Sequence, residues 1–208
     1  MLNERDIALL RQSVKQRLSE KRYVHSLGVE KCAVAIGKLC NIDSPDELSA
    51  AALLHDITKE LDRAYQFSLI DKGEISLSSI ERESEAVLHS YTAPVVIRSD
   101  FPRFATQNVL SAVEKHTLGN ENMSIFDEII FLSDYIEEGR SYPSSRELYD
   151  FVFSNMKNGE LQSNVLVLHK ASLSAIDYTI THLIKKGAKI AEKTFLTRNA
   201  LISKILHS

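Results

Sequence analysis

Apolar residues in this chain recur at intervals of three and four, and no stretch alternates apolar with polar over the length of a strand. Only seven glycines and four prolines occur in 208 residues, so there are few places for sharp turns. Gly73, Gly119, Gly159 and Gly187 punctuate the pattern. An all-α protein with short connections follows. Asn3 is a cap for a first helix with the stripe Ile7, Leu10, Val14 and Leu18. A second helix opens at Tyr23 or Ser26 and runs to about Cys40. Ser44-Pro-Asp-Glu47 has the grammar of a helix start, and a further helix is expected from about Leu61 to Lys72. Ser78 to Leu88 is expected as another, with a restart at Tyr91 or Pro94 that stops before Phe101-Pro102. Helices from Ala105 to His116, Ile125 to Glu138, Pro143 to about Asn158, one ending at Lys186 and one from about Lys193 complete the chain.

The length suits one domain over 1–208. A formal net charge of -3 offers no bulk electrostatic reason to bind nucleic acid. No window approaches the roughly 18 apolar residues of a membrane span, and the charged N-terminus has no signal-like apolar run. Cys32 and Cys40 lie too far apart along a helix to bridge and read as small core residues of a reducing compartment. A cytoplasmic location is expected.

Chemistry concentrates in Ala51-Ala-Leu-Leu-His-Asp-Ile-Thr-Lys59. Strong helix formers without a polar face lead into His55 and Asp56, with Lys59 close behind. An imidazole, a carboxylate and an ammonium at the end of an apolar helix suggest a metal site with an anion clamp. His25, His89, His116 and Asp134 also lie on or at the ends of helices whose neighbours look buried. Buried ionisable groups are unfavourable unless paired or metal-bound, so several of them in one helical core are expected to meet. Imidazole and carboxylate donors without a thiolate suit iron, manganese, zinc or cobalt in an open site.

Here the chain resembles the HD-domain metal-dependent phosphohydrolases, whose signature is His … His-Asp … Asp on a five-helix core. The matching positions are His25, His55-Asp56 and Asp134. More narrowly it resembles the bacterial YqeK-type symmetrical diadenosine tetraphosphate hydrolases. The stretches that carry this are Arg22-Tyr-Val-His25-Ser-Leu-Gly, Ala52-Leu-Leu-His-Asp-Ile-Thr-Lys59, Leu88-His89-Ser, Lys115-His116-Thr117 and Phe131-Leu-Ser-Asp-Tyr-Ile-Glu-Glu-Gly-Arg140. One departure is Ser133, where the family pattern has Ala before the final Asp.

The resemblance implies an HD-type helical domain, with a metal-binding core at about 20–142 and a C-terminal helical cap at about 143–208. It implies hydrolysis of diadenosine tetraphosphate at its centre to two ADP. The metal ligands would be His25, His55, Asp56 and Asp134, holding one or two divalent or trivalent transition-metal ions, with iron the implied metal. Lys59, His89 and His116 would serve catalysis, and Arg22, His25, Lys59, His89, His116, Thr117 and Arg140 would contact substrate. In other HD enzymes the two histidines equivalent to His89 and His116 hold a second metal, and the sequence leaves both uses open. The implied partner is a nucleotide, with no nucleic acid or membrane and with room for a homodimer. Two other functions stand beside this one: the same site acting on another nucleotide, and a nucleotide-sensing module whose metal is structural.

Plainer roles compete for some of these residues. Lys59 is within reach of Asp62, Arg140 of Glu137, and Arg22 is a neighbour of solvated Lys21. Glu137 and Glu138 read as a solvated face. His169, His182 and His207 match no ligand position and read as structural or solvated. Tyr23, Tyr91 and Tyr135 are candidates for stacking on adenine, weighed against core packing.

Overall fold

A computed structural model describes residues 2–207. The described residues form eleven α-helices, one short 3-10 turn and no strand. In order they are α1 Glu4–Arg17, α2 Glu20–Leu39, α3 Pro45–Leu54, α4 Arg63–Lys72, α5 Ser79–Glu83 and α6 Glu85–Asp100, then α7 Gln107–Lys115, α8 Ile125–Ile136, α9 Pro143–Asn155, α10 Leu161–Lys185 and α11 Glu192–Leu206. No helix among the described residues is long and apolar enough to cross a membrane.

Local sequence chemistry sets most of the helix starts. Asn3 and Asp6 form a reciprocal capping box at α1, as do Ser124 and Asp127 at α8, so two otherwise unpaired backbone N–H groups are satisfied at each start. Asn3→Ala removes the first of these caps and is expected to cost about 1 kcal/mol of stability, read as a shift in the urea midpoint.

Three boundaries differ from expectation. α2 begins at Glu20 because Ser19 caps it, accepting from the Arg22 N–H. His25 therefore sits within the second turn, not at the helix start. The Ser78–Leu88 segment breaks at Ser84, which adopts an extended backbone, and α6 then runs unbroken through Pro94. Proline removes one ladder bond, but the flanking helix is buried on nearly every side and holds together. His89 is consequently a mid-helix residue. The Ala51–Lys59 stretch leaves the helix at Leu54 and continues as tight turns, with Ile57 N–H donating to Leu54 O, Lys59 N–H to Asp56 O and Leu61 N–H to Thr58 O. Asp62 caps α4 rather than pairing with Lys59.

α3 is the central element. Every residue from Leu48 to Leu54 is buried, and the helix packs against α1, α2, α7 and α8. Around it Val29 and Ile36 of α2, Val109 and Val113 of α7, and Ile129, Ile130 and Leu132 of α8 close one hydrophobic core. Each such side chain contributes roughly 1.5–3 kcal/mol through its removal from water. α9 and α10 pack on α8, and α11 packs on α10. Cys32 and Cys40 are free and buried, as expected of small core residues.

Candidate metal centre and phosphate site

Five helices, or the turns that end them, deliver the polar cluster to one place. α2 brings Arg22 and His25, the turn after α3 brings His55, Asp56 and Lys59, and α6 brings His89. The end of α7 brings His116 and Thr117, and α8 brings Asp134, with Arg140 just beyond it. Asp56 is the hub, and its two carboxylate oxygens face different groups. Oδ2 looks toward Nε2 of His55 at 3.4 Å and Nε2 of His25 at 3.9 Å. Asp134 Oδ1 closes that side, 2.9 Å from His25 Nε2 and 3.7 Å from His55 Nε2. Oδ1 of Asp56 faces Nε2 of His89 at 3.1 Å and Nε2 of His116 at 3.7 Å. The Thr117 hydroxyl lies 3.1 and 3.0 Å from those two ring nitrogens.

The cations sit at the edge of this cluster. Arg22 Nη1 donates to Asp56 Oδ2 at 2.7 Å, and Arg140 pairs with Asp134 Oδ1 while its Nε–H donates to the Asp134 carbonyl at 2.8 Å. Lys59 Nζ donates to the Ala86 carbonyl at 3.0 Å and lies 3.1 Å from His89 Nδ1. The surface pairing that competed for Lys59 is thus not formed, and Arg22 turns to Asp56 instead. Arg140 reaches Glu137 only at 4.0 Å and turns chiefly to Asp134.

Electrostatics follow from this crowding. Burial would raise the Asp56 carboxyl, but the facing His55, His116 and His89 rings outweigh it and hold the group well below the usual carboxylate range. Asp134 is likewise held low against burial, by His25, Arg140 and His55. Burial pushes down on His25, yet its bonds to Asp134 and Glu137 prevail and carry it up to about 9. His89 goes the other way, to about 3, through burial and the neighbouring His116 and Lys59 charges, which outweigh Asp56. Burial also lowers Lys59.

Whether these residues suit a metal ion can be judged from His55. Its Nδ1 lies 2.6 Å from the Ala52 carbonyl, which can only accept, so the neutral ring carries its proton there. Nε2 is then a bare lone pair, fully buried and without a hydrogen-bond partner. It faces the oxygens of Asp56 and Asp134, which are also acceptors. Acceptors that converge without a proton between them are what a cation relieves. The donor atoms of His25, His55 and Asp134 lie within 4.8 Å of one another, as do those of His55, Asp56 and His116. Imidazole and carboxylate donors at this spacing fit a transition-metal ion.

The family model for the HD domain matches residues 22–139. This chain belongs to the HD-domain family. HD-domain membership implies a bound divalent metal, and the His–Asp cluster supplies donors for it. The chain is similar to curated proteins named symmetrical bis(5'-nucleosyl)-tetraphosphatase. The one from Halalkalibacterium halodurans is 32% identical over 191 residues, covering 92% of this chain and 94% of its own. The one from Bacillus subtilis is 26% identical over 190 residues, covering 91% and 94%. A crystal structure from Clostridium acetobutylicum, titled as a predicted HD superfamily hydrolase involved in NAD metabolism, superposes with a TM-score of 0.81 at 30% identity. It covers 98% of this chain and 99% of that one.

Every candidate site residue read from the sequence reaches this HD cluster or its edge. Glu137, expected on a solvated face, is 4% exposed and lies 3.1 Å from His25 Nδ1. The signal was available in Asp134-x-x-Glu137, a spacing that puts two carboxylates on one helical face. His169 lies outside the cluster, paired with buried Glu128 at 2.9 Å, and His182 and His207 are exposed. Beside the HD cluster an open cavity of about 90 Å³ lies between α7, α8, α10 and α11, lined by His116, Asp134, Phe131, Tyr135, Ile176 and Thr194 among others.

Proposed function

We propose that this protein hydrolyses diadenosine tetraphosphate at the central phosphoanhydride, consuming one water and releasing two ADP. The observation that carries this reading is the Asp56 hub, one oxygen facing His25 and His55 with Asp134 alongside, the other facing His89 and His116, with Lys59, Arg22 and Arg140 around it. Relatives that align over more than nine-tenths of the chain and bear the symmetrical tetraphosphatase name support the substrate.

His25, His55, Asp56 and Asp134 would hold the metal, which we take to be iron; manganese, cobalt and zinc suit the same donors. Such an ion supplies an activated water and a polarised phosphoryl oxygen. The rest is the work of the chain. Lys59, Arg22 and Arg140 hold the phosphate oxygens and offset the charge that grows on them as the anhydride bond breaks. The Lys59 ammonium against His89 favours an anion on that side over a second cation. His89, His116 and Thr117 would therefore bind phosphate oxygens and face the departing ADP. Phe131, Tyr135 and Ile176 give the neighbouring cavity an apolar wall fit for a nucleoside. Residues of about 20–142 form the metal-binding core, those beyond cap it, and the enzyme acts in the cytoplasm.

The test is product identity. Metal-replete protein incubated with diadenosine tetraphosphate should yield ADP alone on ion-exchange chromatography. Equal ATP and AMP would overturn central cleavage. Absence of turnover with metal confirmed in the sample would overturn the substrate.

A further inference from the structure

The Nδ1 of His25 is held differently from those of His55 and His116, and the difference has a structural cause. His55 and His116 each cap the C-terminus of a helix, α3 and α7. Carbonyls in a last turn lack helical partners. Each ring uses one: His55 Nδ1 lies 2.6 Å from the Ala52 carbonyl, and His116 Nδ1 lies 2.6 Å from the Val113 carbonyl. Both rings are thereby turned with Nε2 inward. His25 lies inside α2, where the carbonyls around it belong to the helix ladder. Its Nδ1 needs an acceptor from elsewhere, and Glu137 Oε1 stands there at 3.1 Å.

The chain makes room for this carboxylate. Gly28 is one turn after His25 on the same face of α2. A Cβ on Gly28 would fall 2.3 Å from Glu137 Oε2, so only glycine leaves the slot open. That oxygen accepts from the Gly139 N–H at 2.6 Å, which fixes the carboxylate at its second end. Asp134 and Glu137, three residues apart, thus grip the one imidazole at its two nitrogens.

We propose that Glu137 is a positioning residue for the metal centre, accepting the Nδ1 proton of His25 so that Nε2 offers its lone pair to the ion. A carboxylate behind a metal-bound imidazole fixes its tautomer and raises its basicity. The inference rests on the metal-centre reading above, and the experiment separates the two. Cobalt(II) is titrated into the metal-free full chain, wild type, Glu137→Gln and Gly28→Ala, with binding followed by calorimetry and by the visible cobalt spectrum. Glu137→Gln keeps the shape and removes the charge. Gly28→Ala keeps the charge, favours the helix and displaces the carboxylate.

Both variants should bind cobalt about 10- to 100-fold more weakly than wild type. Excess cobalt should restore hydrolysis to Glu137→Gln, a rescue that a purely structural defect would not show. Wild-type binding with unchanged affinity in both variants would overturn the role of Glu137 and leave the metal centre standing. No cobalt binding by wild type would overturn both. If Glu137→Gln lacks the helical circular dichroism of wild type, Gly28→Ala decides alone.

Discussion

Asp56→Ala should lose metal binding and hydrolysis together. Its carboxylate faces Nε2 of His25 and His55 from one oxygen and of His89 and His116 from the other. It also accepts from Arg22. No other residue of the site spans both sides, so none can stand in for it. A partner behind a metal ligand is worth about 10- to 100-fold in affinity or rate. Removing the hub itself should therefore cost on the order of 10³-fold or more, comparable to removing a main electrostatic element of an active site. His55→Ala should behave alike, because its Nε2 is the buried, partnerless nitrogen that requires a cation. Metal content after dialysis and steady-state hydrolysis are the two readings. Full activity in a variant that retains no metal would overturn the assignment.

The second large effect should be on stability. Leu54 is fully buried, immediately precedes His55, and ends a helix with no exposed face over seven residues. Leu54→Ala removes apolar atoms from a fully buried position on a helix that packs against α1, α2, α7 and α8. The expected loss is about 3 kcal/mol, within the 2–5 kcal/mol range of such truncations. For a domain of this size that corresponds to a melting-temperature drop of roughly 6–12 °C. Urea unfolding of the metal-free chain should show the midpoint shift with an unchanged slope. A loss below about 1 kcal/mol would mean that α3 is not the packed centre of the fold.

Much of this fold was legible because it is written in short-range chemistry. Intervals of three and four announce helices, and Asn3 and Ser124 mark their starts through side-chain bonds to backbone N–H groups three residues on. Boundaries failed where burial overrode local grammar. Pro94 signals a restart, yet it sits inside α6 among buried neighbours that hold the helix together. Ser44 has the right grammar for a cap and forms no side-chain cap bond.

The site divides in the same way. His25, His55, Asp56, His89, His116 and Asp134 could be picked out because unpaired ionisable groups among apolar neighbours are too costly to leave alone, whereas the narrower set His25, His55-Asp56 and Asp134 came from the resemblance to the HD-domain family. The sequence by itself thus determined the helical class and pointed to the residues that meet in the cluster. Which oxygen of Asp56 faces which ring, that Lys59 lies against His89 rather than Asp62, and that Glu137 is buried behind His25 were decided only by tertiary packing. The reason is that Lys59 and His89 lie 30 positions apart and His25 and Glu137 lie 112 apart. No local periodicity carries the direction in which a side chain meets a distant helix. The slot at Gly28 exists only because α8 ends opposite it, and a missing side chain leaves no mark in a sequence until something fills its place.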